Sequence, residues 1–315
     1  MDFQTIEQII AEPMADFRKT FRGLIASPVE VIQKITDQLN NTQGKQLRPM
    51  LMLLSDAATE GRNPRVAQLA TAMELLHNAT LIHDDVVDES ELRRGRPSVN
   101  KTWGNKVAVL CGDYYLAQVM MLLNQYDDSA VTTIVNQTVI DLSEGELMQQ
   151  GSSHRKDTSM AHYMNVIYKK TAALIAACCE LGAIHTPHRE LMREFGRLYG
   201  LAFQMRDDLL DYHSTEETGK PSGNDIKEKK MTLPLLCFLE QATDEQSRRV
   251  MEILDHEVVS DEDTAEVAEM VRQSDALGTA YRLMNIQLDQ AVEQCNQLPE
   301  TPYKKALMGL CDYLR

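Results

Sequence analysis

The feature that most limits what this chain can become is an acidic pentad written twice. Asp84, Asp85 and Asp88 form "DDVVD", and Asp207, Asp208 and Asp211 form "DDLLD". Each closes a run with helical spacing. Ahead of the first, Val66, Leu69, Met73 and Leu76 recur at the interval of one helix face; ahead of the second, "REFGRLYGLAFQMR" reads as helix. Both pentads therefore sit near the ends of long helices, where carboxylates four apart are neighbours and repel by about a few tenths of a kcal/mol. One such cluster reads equally well as a solvated helix end. Two copies, each behind a helix-compatible run, suggest facing carboxylate clusters.

The rest of the chain agrees with a helical frame. "VAVLCGDYYLAQVMMLLNQ" and "YMNVIYKKTAALIAACCELGAI" read as buried or half-buried helices, and strand alternation is absent. With 15 Gly and 10 Pro in 315 residues and 43% hydrophobic content, helix formers dominate and a large core is available. The expectation is an all-α protein with one large domain over residues 1–315. Between Tyr212 and Thr232 the pattern breaks into a polar stretch with Gly219, Pro221 and Gly223, long enough to be a lid or binding loop. Helix resumes after Pro234, and from Gln241 onward the chain is acidic, amphipathic and structural.

Charge and cysteine usage exclude several classes. A formal net charge of −15 argues against nucleic-acid binding, which uses basic stripes. Six cysteines without CxxC spacing, mostly in apolar stretches, read as reduced, buried thiols in a cytoplasmic protein, without a zinc site. The N-terminus resembles no secretory or transit peptide, and no apolar run approaches the roughly 18 residues a bilayer span needs. Membrane contact is expected only at the surface, through a greasy substrate.

Carboxylates without His or Cys are hard oxygen ligands suited to Mg²⁺, which keeps some waters and takes substrate phosphates to complete its shell. The local basic residues then supply the other half of a diphosphate site: Lys45 and Arg48 in "GKQLRP", Arg93 and Arg94, Lys170, Lys220, Lys229 and Lys230. Pro49 is expected to open a helix whose N-terminal amides add to an anion site. His77 and Met73, seven and eleven positions before Asp84, project from nearly the same side of that helix. Gly196 and Gly200 stand eleven and seven positions before Asp207, and Ala79 and Thr80 lie a turn below Asp84. These small residues fit either close helix packing or an apolar tunnel descending from the metal site.

Taken together, "GKQLRP", "LLHNATLIHDDVVDESELRRGRPS", "VIYKKTAAL", "FQMRDDLLDY", "TGKPSGND" and "KKMTLPLL" resemble the trans-isoprenyl diphosphate synthases, and within them the longer-chain polyprenyl diphosphate synthases, over nearly the whole chain. The resemblance implies the isoprenoid synthase fold, a helical bundle around a central catalytic cavity, usually dimeric. It implies Mg²⁺-dependent condensation of an allylic diphosphate with isopentenyl diphosphate. Asp84 and Asp88 would hold two ions and Asp207 a third, with Asp85, Asp208 and Asp211 helping directly or through water. Arg93, Lys170, Lys220 and Lys230 would hold the allylic diphosphate; Lys45, Arg48, His77 and Arg94 would hold isopentenyl diphosphate. Thr171 and Gln204 would lie near the reacting carbons.

One departure stands out. The family commonly has glycine before the lysine aligned with Lys230, but this chain has "KEKK", so either Lys229 or Lys230 is the phosphate ligand. In this family, bulky aromatics at the positions of Ala79 and Thr80 go with short products. Met73 lies about 16 Å below Asp84, and Met120 and Met121 sit in another apolar helix, which leaves room for a methionine floor deeper down. By analogy with the family the resemblance implies a product beyond C20, about C30 to C50, suited to a quinone side chain. Weighed against this are a short-chain prenyl synthase, a class I terpene cyclase and a non-catalytic subunit of a heteromeric synthase. A cyclase is expected to carry one aspartate pentad plus an Asn/Ser/Glu-type second site, and a non-catalytic subunit eroded pentads. An acidic scaffold would leave the lysine loop unexplained.

Overall fold

The computed structural model describes residues 1–25, 27–41, 44–155, 159–213 and 223–315. Lys220, Gly219 and Pro221 lie outside the described residues. Among the described residues helices account for nearly all of the regular structure, interrupted by one short hairpin, Leu92–Arg93 paired antiparallel with Arg96–Pro97. The chain forms two compact units.

The first unit comprises 1–137, 177–193 and 297–310. Its helices begin with α1 (Phe3–Ile9), α2 (Ala11–Leu24), α3 (Glu30–Asn41) and α4 (Leu47–Ala58). The centre is α5 (Val66–Val87), which packs along α7 (Asn105–Tyr126) and against α2 and α4. Leu69, Ala70, Ala72, Met73, Leu75, Leu76, Ala79 and Ile82 are all buried, so α5 is apolar nearly all round, as a core helix must be. Small residues let it approach α7: a Cβ at Gly112 would lie 2.3 Å from His83 Nε2. Between them runs α6 (Val99–Trp103), capped by the Ser98 side chain and stopped at Gly104, whose φ of +83° few other residues adopt. α4 opens at Leu47, two residues earlier than Pro49 suggested, because Gln46 turns the chain in the left-handed region.

The helix α7 is long and apolar enough to cross a membrane by length and composition, contrary to the reading of the sequence. Its inner face, with Cys111, Tyr115, Val119 and Leu122, is buried, and Tyr115 Oη lies 2.8 Å from Thr36 Oγ1. Met120 and Met121 are 67% and 57% exposed, so they form no buried floor among the described residues.

The second unit comprises 138–176, 194–296 and 311–315. It takes most of α8 (Ser129–Arg155), then α9 (Met160–Ile167), a π-helical turn (Tyr168–Ala172), the start of α10 (Ala173–Gly182) and most of α11 (Arg189–Leu210). There follow α12 (Asn224–Lys227), α13 (Leu233–Leu239), α14 (Asp244–Asp255), α15 (Asp261–Gln273) and α16 (Ala276–Asn296); α17 (Pro302–Leu314) lies largely in the first unit. The π turn is gripped from two sides. A Cβ at Gly145 would meet Lys170 N at 2.7 Å, and one at Gly200 would meet Ala172 Cα at 2.6 Å. Gly200 is therefore small because helices touch there, not because a tunnel passes. All six cysteines are buried free thiols.

Candidate active site

In the first unit the acidic residues end α5. Asp84 is half-buried, Asp85 buried, and Asp88 exposed as the residue that caps the helix. Asp85 accepts from Arg93 Nε at 2.9 Å, with Arg93 Nη2 also against the same oxygen, so this carboxylate and this guanidinium hold each other. Arg93 is aimed by the hairpin, whose turn residues Arg94 and Gly95 both have positive φ, as a tight two-residue hairpin loop requires. Asn100 Nδ2 fastens the loop back by donating to the carbonyls of Asp85 (2.9 Å) and Ser90 (3.1 Å).

Lower on α5 stands a buried polar group. Arg48 Nη1 lies 3.0 Å from His77 Nε2. A guanidinium only donates, so Nε2 accepts and the imidazole is neutral with its proton on Nδ1. Burial, then Arg48, Arg94 and Arg93, hold His77 well below the usual histidine range. Glu74, three residues earlier on the same face, is 7% exposed; burial pushes its carboxyl up, while Arg48 and Arg94 pull it down. Lys45 is exposed, with Nζ 5.2 Å from the Phe3 ring centre. Met73 and Ala79 are buried, and Thr80 donates to the His77 carbonyl at 2.8 Å.

In the second unit Asp207 is exposed at the end of α11, while Asp208 beside it is 4% exposed. Asp208 accepts from Tyr163 Oη (2.7 Å), Gln204 Nε2 (2.9 Å) and Leu233 N (3.4 Å). The other end of the Gln204 amide accepts from Thr171 Oγ1 at 2.7 Å. A continuous chain of bonds thus runs from Tyr163 through Asp208 and Gln204 to Thr171. Asp211 accepts from Asn224 N (3.2 Å) and Asp225 N (3.0 Å), so it ties α12 to the end of α11. Asp225 is held far above the usual carboxylate range by burial, then by Asp208 and Asp211. Asp208, by contrast, has three donors that stabilise its charge and oppose the effect of its burial.

The π turn carries Lys169, Lys170 and Thr171. Its wider winding turns successive lysines toward different carboxylates: Lys169 to Asp141 (2.8 Å) and Glu144 (2.6 Å), Lys170 to Glu146 (2.6 Å). Lys230 Nζ lies 3.9 Å from Asp225 and pairs with Glu228. Tyr163, Lys170, Thr171, Gln204, Asp208, Asp225, Lys229 and Lys230 are among the residues that line one cavity of this unit.

Sequence reasoning did not name Tyr163, Glu74, Glu146 or Asp225. Glu74 was visible in principle, three residues before His77; the others reach the site only by packing. The helix-end donors are all carboxylate oxygens, which suit a hard divalent cation. Among the described residues no group of three or more His, Cys, Asp or Glu could by itself hold a metal ion. A cation here would complete its shell with water and phosphate.

An all-α fold with acidic helix ends and cationic side chains gathered near them is the pattern of a class of diphosphate-handling enzymes. The polyprenyl synthetase family matches residues 29–271, and the chain belongs to that family. It is 35% identical over 316 aligned residues to the all-trans-nonaprenyl-diphosphate synthase (geranyl-diphosphate specific) of Rhodobacter capsulatus, covering 98% of this chain and 97% of that one. It is 36% identical to the short chain isoprenyl diphosphate synthase of Methanothermobacter thermautotrophicus, covering 90% of each. The crystal structure of polyprenyl synthase from Caulobacter crescentus complexed with calcium and isoprenyl diphosphate superposes with a TM-score of 0.93 at 31% identity, covering 99% of this chain and 97% of that one. The fold is the isoprenoid synthase fold and the protein is a prenyltransferase.

Proposed function

We propose that this prenyltransferase is a long-chain all-trans polyprenyl diphosphate synthase. It extends an allylic primer, farnesyl or geranylgeranyl diphosphate, with successive isopentenyl diphosphates and releases diphosphate at each addition. The observation that carries the long product is the α5 face beneath Asp84: Ala79 is fully buried and Thr80 is bonded to the His77 carbonyl, so no aromatic ring stands there. With Met73 about 16 Å lower, this supports a product of about C30 to C50. The similarity to a short-chain synthase keeps a shorter product as the second reading.

In this reading Asp84, Asp88 and Asp207 would hold divalent ions, three Mg²⁺, which would supply positive charge to offset that of the departing diphosphate. Arg93, Lys170, Lys220 and Lys230 bind the allylic diphosphate; Lys45, Arg48, His77 and Arg94 bind isopentenyl diphosphate. Neutral His77 suits a ligand that takes its charge compensation from Arg48. Asp85 aims Arg93, and Asp208 aims Gln204, which orients the Thr171 hydroxyl toward the reacting carbons. The allylic cation is attacked by the isopentenyl double bond, and the proton lost passes to diphosphate. No protein nucleophile is required.

Residues 1–315 act as one polyprenyl synthase domain in the cytoplasm. Val109, Leu110, Met120 and Met121 leave an apolar outer face on α7, which supports a homodimer. Purified protein with Mg²⁺, farnesyl diphosphate and labelled isopentenyl diphosphate, followed by chromatography of the products, tests the reading. Absence of any product beyond C20 would refute the long-chain assignment.

A further inference from the structure

Lys229 and Lys230 both line the cavity, and the segment that carries them is fastened at both ends; at its far end the fastening is the Lys229 side chain itself, on a backbone of unusual conformation. Lys229 has φ of +57°, in the left-handed region where a Cβ crowds the backbone and glycine is the natural occupant. A residue stays there only if its surroundings hold it. What holds Lys229 is the end of α14. Its ammonium donates to the carbonyl oxygen of His256 and, at 3.2 Å, to that of Glu257. These carbonyls lie just past the C-terminus of a twelve-residue helix, where carbonyls lack intrahelical partners and the helix dipole is negative. The turn is itself fixed: His256 Nδ1 lies 3.0 Å from Asp263 Oδ2 at the start of α15.

At the near end, Asp211 accepts from the amides of Asn224 and Asp225, and its carbonyl accepts from Gly223 N at 2.9 Å. Gly223 has φ of +81°, and a Cβ there would lie 2.5 Å from Thr264 Cγ2. The segment between is closed by its own backbone, Lys229 N to Ile226 O at 3.0 Å and Lys230 N to Asp225 O at 2.8 Å. Lys230 therefore follows directly on a residue that is tied through both backbone and side chain.

We propose that Lys229 is a positioning residue, not a phosphate ligand: its amine latches the α12 segment to the end of α14 and so fixes where Lys230 presents its charge to the allylic diphosphate. The proposal rests on the diphosphate-site reading of this cavity, and it settles which member of the "KEKK" pair meets the substrate. A phosphate ligand and a latch predict opposite results at one substitution, because glycine removes the latch but also the strain that the latch restrains.

The test compares Lys229→Met, Lys229→Gly and Lys230→Met in steady-state kinetics with each substrate varied separately. Lys229→Met keeps the strain and loses the tether; kcat/KM for the allylic diphosphate should fall about tenfold through KM, with kcat within about twofold. Lys229→Gly should stay within about threefold of the parent, because glycine takes the left-handed conformation freely. Lys230→Met should fall about a hundredfold, as expected when a charge-assisted contact to phosphate is lost. If Lys229→Gly falls as far as Lys229→Met, the amine acts on phosphate directly and the latch is overturned. Wild-type kinetics for Lys229→Met would overturn it as well. Amide hydrogen exchange of residues 223–230 in metal-free protein reads the tether without turnover. Lys229→Met should accelerate it, and unchanged exchange would overturn the latch even if the parent protein made no prenyl product, an outcome that would separately sink the diphosphate-site reading.

Discussion

Replacing Tyr163 with Phe removes one oxygen atom and leaves the ring in place, so it isolates the bond to Asp208. That bond is 2.7 Å long, buried, and made to a carboxylate. Hydrogen bonds to charged groups contribute about 1.5–3 kcal/mol net. Asp208 keeps Gln204 Nε2 at 2.9 Å and Leu233 N at 3.4 Å, so it remains partly satisfied, but the carboxylate gains freedom to rotate. The Gln204 amide has a carboxylate at its nitrogen and the Thr171 hydroxyl at its oxygen, so loosening Asp208 loosens the orientation of Thr171. If that cost appears in full at the transition state, kcat falls about 10- to 150-fold. KM for both substrates should stay within about twofold, because no phosphate-binding side chain loses a partner. The assay is the initial rate of labelled isopentenyl incorporation, alongside urea unfolding, which should show a loss of about 1.5–3 kcal/mol. A variant destabilised by that amount with unchanged kcat would show that the chain of bonds to Thr171 serves folding alone.

Other substitutions test the remaining parts. Asp84→Ala and Asp207→Ala should abolish turnover while circular dichroism stays helical; near-normal activity would sink the metal assignment. Ala79→Phe should shorten the product, because Ala79 is fully buried on α5; unchanged product length on chromatography would show that the prenyl chain does not pass there. Asp225, pushed up to about 8 chiefly by burial, binds its proton more tightly folded than unfolded, where it leaves near pH 4. Metal-free protein should therefore lose stability as pH rises between about 4 and 8, and Asp225→Asn should flatten that slope in chemical unfolding. An unaltered slope would show that Asp225 is not the group that sets it.

Much of this was legible in the chain. The helical spacing ahead of each pentad placed Asp84 and Asp88 at the end of α5 and Asp207 at the end of α11, because 3.6-residue periodicity is a local property of the sequence. The basic motifs were equally visible, since each is a short contiguous string. By contrast, the two middle aspartates look the same in sequence and differ in the fold. Asp85 is matched to Arg93, Asp208 to Tyr163, Gln204 and the Leu233 amide, and nothing in "DDVVD" or "DDLLD" announces it.

The same division applies to the small and flexible residues. Spacing left Gly200 open between packing and tunnel, and the approach of Ala172 decided for packing. Met120 and Met121 carried the composition of a core helix, yet they face outward, because a helix that is apolar on both sides does not reveal which side its neighbours will cover. "KEKK" could not distinguish its last two lysines, which differ in the fold: Lys229 turns in the left-handed region with its amine on the carbonyls at the end of α14, whereas Lys230 pairs with Glu228. By itself the sequence determined the class of fold, the family chemistry and the residues that bear charge, all written in local pattern. Which of those charges are available to a substrate and which are spent holding others in place was decided only by tertiary structure, because burial and hydrogen-bond partners come from segments distant in the chain.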